Sequence, residues 1–147
     1  MADARRNLAV ELFNQTWATL GQEARTAGDD RRMLATAMGS LALWQTVGGP
    51  EQQAIGDWQV AHVACVLGYA DLALDFAAAA HDTAANSEVP TWLRASTCEG
   101  LARAHAAAGH PQERDEWIAR AQDLLKQVDD ADDRQLIEEQ LASIDRT

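Results

Sequence analysis

Apolar residues recur at three- and four-residue intervals along nearly the whole chain, and each interruption of that rhythm carries helix-capping chemistry. A chain patterned in this way buries one stripe of each helix against another helix. The pattern divides into seven helices. The first covers residues 3–20, with Ala9, Phe13, Trp17 and Leu20 on one face and Gly21 as its stop. Thr26 caps the second, in preference to Gly28 as a turn glycine, because Asp29 follows three residues later and Asp30 adds to an acidic first turn. Met33, Ala37, Leu41 and Trp44 form its stripe, and Gly48 and Gly49 end it. Pro50 opens a third helix carrying Val60, Val63 and Leu67, and Gly68 stands where a left-handed cap belongs.

A fourth helix over residues 70–85 turns Leu72, Phe76 and Ala79 or Ala80 inward. Ser87 and Pro90 introduce a fifth, with Leu93, Leu101, Ala104 and Ala108, that stops at Gly109. Pro111 starts the sixth, whose stripe is Trp117, Ala121, Leu124 and Val128; the seventh begins near Asp129 or Asp130 and buries Ile137, Leu141 and Ile144. Linkers of no more than about six residues suit antiparallel neighbours. The expected fold is therefore all-α and single-domain: three helical hairpins at residues 3–47, 50–86 and 89–128, and a capping helix at 130–145.

Composition agrees. Of the 147 residues 47% are hydrophobic but only 5% aromatic, because alanine alone supplies roughly a fifth of the chain, which favours helices whose backbones approach closely. Twelve basic against 23 acidic residues give a net charge of −11, a field that repels phosphate backbones, so no nucleic-acid partner is expected. The paired arginines, Arg5 with Arg6 and Arg31 with Arg32, are flanked by Asp3, Asp29 and Asp30. No apolar run reaches the ~18 residues of a membrane span and residues 1–10 alternate charged with apolar side chains, so a cytoplasmic protein without a membrane partner is expected. Cys65 and Cys98 lie inside helical patterns without the spacing of zinc or redox motifs and read as small buried hydrophobes.

The third and fourth helices repeat in the fifth and sixth with a period of 41 residues. Gly68 aligns with Gly109, Ala61 with Ala102 seven residues before the glycines, and Ala80 with Ala121 twelve after them. A small residue midway along one helix lets the next nestle against it, a glycine makes the turn, and a later alanine permits contact with the following pair. These positions resemble those of the tetratricopeptide repeat, most fully over residues 101–125, where His105 stands at the motif's tyrosine; Gly68, Ala73 and Ala80 match the earlier unit. The period departs from the family's usual value of about 34 by some two helical turns, which preserves the buried face. Arg114 replaces the alanine that Ala73 supplies. Through Asn14 to Trp17, Met33-Leu34, Trp44 and Gly56 to Gln59 the chain also resembles a group of small bacterial proteins of this layout. Members of that group carry histidines between the positions of Ala35 and Trp44, where this chain has Ala35, Met38 and Leu43. The resemblance implies a fold and a protein-interaction role, with no particular activity attached.

No residue set forms a recognisable active site. His62, His81, His105 and His110 make no HExxH and no i, i+4 pair, the serines occupy no nucleophile elbow, and the glycines form no phosphate-cradling loop, so neither metal nor cofactor is expected. His105 reads as a partly buried stand-in for tyrosine and His110 as solvated. Seven acids and two arginines from Asp129 onward read as a solvated end helix. Trp17, Trp44 and Trp117 fall on apolar stripes and are expected in the core. Trp58 is phased differently. The repeat turns it, with His62, toward the concave side formed by the first helices of the pairs, opposite Glu99 and Arg103. Asp57, Trp58, His62, Glu99 and Arg103 are accordingly the candidate partner-binding groove, an aromatic anchor with an ionic clamp, the alternative being that Trp58 packs on the first helix and the charges are merely solvated. The expected function is an adaptor receiving a peptide or helix there; a small-molecule or enzymatic domain using the same cavity, or a structural homo-oligomer, are the alternatives.

Overall fold

The computed structural model describes residues 1–144 and contains seven helices among them, with no strand: α1 (Ala2–Leu20), α2 (Ala27–Val47), α3 (Pro50–Leu67), α4 (Ala70–Ala85), α5 (Thr91–Ala107), α6 (Pro111–Leu125) and α7 (Ala131–Ala142). Residue 145, where the capping helix is expected to end, lies outside the described residues. The helix starts are set by local chemistry. Thr26 Oγ1 accepts from the Asp29 amide at 3.0 Å while the Asp29 carboxylate accepts from the Thr26 amide at 2.9 Å, so two orphan donors are satisfied reciprocally and Gly28 is left inside the first turn. Asp130 caps α7 by accepting from the Asp133 amide at 2.9 Å.

The 41-residue repeat is reproduced in the backbone. Gly68 and Gly109 have φ of +82° and +76°, the left-handed region open to glycine, and each is followed by the same set of bonds. Tyr69 donates to the Ala64 carbonyl and His110 to the His105 carbonyl, both at 2.8 Å, and the glycine amides donate to Cys65 and Ala106, both at 3.2 Å. The alanines that the alignment singles out, Ala61, Ala80, Ala102 and Ala121, are all buried.

α1 packs on α2, α3 on α4 and α5 on α6 as hairpins, and each pair stacks on the next chiefly by its second helix against the first helix of the following pair, with α3 also touching α5. The interior divides accordingly: Met33, Ala37, Leu41, Val60 and Val63 join the first pair to the second, while Ala61, Ala64, Ala73, Ala77, Leu101 and Ala104 join the second to the third. A third cluster closes the far end, where Ile137, Leu141 and Ile144 of the last segment meet Ile118, Ala121 and Leu125. One expectation needs correction. Trp17, Trp44 and Trp117, expected in the core, are only half-buried. Trp117 bridges the last two clusters, with its ring 4.8 Å from that of His81 and under the Arg120 guanidinium at 4.4 Å. Also, α7 lies more against α5 than α6 and so runs over the first-helix side of the stack.

Candidate binding cavity and its polar floor

Stacking α3 on α5 with a 41-residue stagger sets equivalent positions of the two repeats beside each other. Trp58 thus meets Glu99 and the residue after it, Gly100. The indole packs closely on α5 because Gly100 has no side chain: a Cβ there would come within 2.8 Å of Trp58 Cδ1. A mid-helix glycine costs about 1 kcal/mol relative to alanine, and this close approach explains its presence. Trp58 Nε1–H donates to one oxygen of Glu99 at 3.0 Å, and Arg103 Nε donates to the other at 2.8 Å. Arg103 also donates to the Gln140 carbonyl and to Ser143 Oγ, both at 2.8 Å, at the end of α7. Glu99 is fully buried and Trp58 only 8% exposed. The set is therefore not the exposed anchor and clamp that its phase suggested. It is a satisfied polar floor that ties α3, α5 and α7 together, because a buried carboxylate is tolerated only with its charge and lone pairs matched.

His62 stands beside this floor, its ring 5.3 Å from Trp17 and 5.8 Å from Trp58, and its Nδ1 is buried without a partner among the described residues. Burial first, and then the Arg103 charge, push its pKa down to about 4, so the ring is neutral at physiological pH. Asp57 does not join the set. It is half-buried on the side of α3 that senses Asp75 of α4, and burial together with that carboxylate raises its pKa to about 6.

Above the floor opens a cavity of about 640 Å³. Its walls are aromatic and aliphatic: Phe13 and Trp17 from α1, Ile55 and Trp58 from α3, Trp92 and Leu93 from α5, and Leu136 and Ile137 from α7. Only Ser96, Asp133 and Gln140 bring polar atoms to it. Sequence reasoning missed Trp92, Ser96 and the α7 residues. Trp92 and Ser96 were within reach, since 92, 96, 99 and 103 share one helical face with the residues that were chosen. A second cavity of about 470 Å³, between α6 and α7, is bordered by Lys126, Arg134 and Glu138 and shares none of these walls.

Nucleophilic cysteine chemistry has no support here, because burial pushes the Cys65 thiol up to about 12 and the Cys98 thiol to about 11. One ligand-capable group forms across a turn and escapes a scan for helical pairs: His105, His110 and Glu113, at the junction of α5 and α6. No described helix is long and apolar enough to cross a membrane. In comparisons with known proteins, no protein-family profile, no curated protein and no solved structure matches the chain.

Proposed function

We propose that this chain is a binding module that captures a basic, amphipathic peptide or helix by seating one bulky apolar side chain in the tryptophan-walled cavity. The observation that carries the reading is the cavity itself: an opening of about 640 Å³ faced by Phe13, Trp17, Trp58 and Trp92 on the side where the first helices of the pairs line up. Aromatic pockets of this kind supply most of the energy of peptide capture, because desolvation there is complete. The net charge of −11, with Asp133 at the rim, favours basic residues flanking the anchor. The groups nearest the cavity support binding over catalysis. Glu99 and Arg103 are committed to each other, and His62, its pKa pushed down to about 4, is neutral near pH 7 and far from the matched pKa that proton transfer there favours. The likeness of the hairpins to tetratricopeptide units points the same way.

A second reading has its own observation. α7 bounds the cavity with Asp133, Leu136, Ile137 and Gln140, and the volume falls in the range of small-molecule sites, so a compact aromatic ligand also fits. Tryptophan fluorescence separates the two, since Trp17, Trp58 and Trp92 report directly on occupancy. A basic model helix presenting one Phe anchor is titrated into the protein beside the same helix with Ala at that position and beside a free naphthalene sulfonate. Anchor-dependent binding of the helix, weakened by salt, is the expected result. Saturation by the free naphthalene compound alone supports the second reading, and no response to any of the three removes both.

A further inference from the structure

The turn at Gly109 copies the turn at Gly68 bond for bond, yet it displays side chains of a different kind. The positions occupied by Ala64, Tyr69 and Leu72 at the first turn are occupied by His105, His110 and Glu113 at the second. The backbone makes the same hydrogen bonds in both, and no His110 side-chain bond caps α6. The fold therefore has no need of two imidazoles and a carboxylate here.

Their side chains nevertheless converge. Nδ1 of His105 and Nδ1 of His110 share a hydrogen bond at 3.1 Å, and one ligand atom from each of His105, His110 and Glu113 falls within 4.8 Å of the others. Two imidazole nitrogens held by one tetrahedral ion at about 2.0–2.1 Å stand about 3.3 Å apart. The rings thus already have nearly the spacing that a shared ion imposes. Glu113 is exposed, so its side chain has room to turn toward the two rings. We infer that His105, His110 and Glu113 form a binding site for a divalent transition-metal ion, Zn²⁺ by ligand type, with three protein donors and a fourth position open.

The surroundings suit such an ion. The Glu113 and Glu116 carboxylates both act electrostatically on His105 and so supply negative charge beside the two rings. Two nitrogens and one carboxylate select zinc-like ions over magnesium and calcium, which prefer all-oxygen shells. His81 serves as an internal control, being placed against Trp117 and Asp82 instead.

The test is calorimetric titration of the untagged full chain with zinc chloride, repeated with Co²⁺ to read the coordination geometry from its visible absorption. One equivalent should bind, with a tetrahedral cobalt spectrum. His110→Ala and Glu113→Gln should each weaken affinity by at least about tenfold, the loss known even for residues that only support a ligand, with unchanged circular dichroism. His81→Ala should have no effect. In NMR spectra the ring signals of His105 and His110 should shift on adding zinc while those of His62 stay in place. Absence of saturable binding, or binding that survives His110→Ala, would overturn the site.

Discussion

At the residue scale the decisive contact is Trp58 lying on Gly100. Gly100→Ala adds a methyl group where Trp58 already stands, so the indole must shift and its bond to Glu99 must stretch. Overpacking of this kind costs about 1–3 kcal/mol, more than the ~1 kcal/mol that alanine returns in helix propensity, and urea denaturation should show a net loss. His62 makes a separate prediction. Its folded pKa, about 4, lies below its ordinary value of 6.5, so the unfolded chain binds more protons in that window and stability is lost as pH falls from about 6.5 to 4. The full loss is about 3 kcal/mol at 1.36 kcal/mol per unit. Asp57 opposes it: its folded pKa of about 6 exceeds 3.8, and its contribution is present at acid pH and lost as pH rises toward 6. Comparing wild type with His62→Phe and with Asp57→Asn by denaturation at pH 4.5 and 7 separates the two. The histidine variant should narrow the gap between the two pH values from the acid side, and the asparagine variant should gain roughly 1 kcal/mol at pH 7, Asp57 being only half-buried and partly screened.

Among elements, the hinge of the account is α7. Its own periodicity announced Ile137, Leu141 and Ile144 as buried, and they are, but nothing in that stripe says that the helix lies over the first-helix side and bounds the cavity. That placement comes from Arg103 reaching the Gln140 carbonyl and Ser143, a contact 37 to 40 residues away in sequence. Caps, by contrast, are local chemistry and were legible, as the reciprocal Thr26 and Asp29 bonds illustrate. Glu99 was misread as a groove charge because a carboxylate is rarely buried unless paired, although its partner stood one helical turn away at Arg103. Arg103→Met should leave Glu99 buried and unmatched and cost about 3–5 kcal/mol, with faster amide exchange in α7; pairing it with Glu99→Leu should recover most of the loss. A smaller effect from the single variant than from the double would remove the polar floor as the tie between α5 and α7. Trp117→Ala, which strips the bridge between two clusters, should cost about 3 kcal/mol, and His110→Ala little.

For the whole molecule, the repeat was the most informative signal, because a fixed stagger predicts which side chains of successive pairs become neighbours. It brought Trp58, His62, Glu99 and Arg103 together correctly while leaving their exposure wrong, since whether a face is open depends on what crosses it. Phe13 and Trp17 show the same ambiguity from the other side: a stripe position serves a core or a cavity wall equally well until the packing of α1 against α3 is known. We propose that the molecule binds its partner in this cavity. Ser96, buried in the cavity wall, offers the direct test. Ser96→Phe should fill the space, leave circular dichroism and melting close to wild type, and weaken capture of the Phe-anchored basic helix by at least about 2 kcal/mol, the scale of a hot-spot loss. Binding of that helix to a folded Ser96→Phe protein with unchanged affinity would contradict the claim.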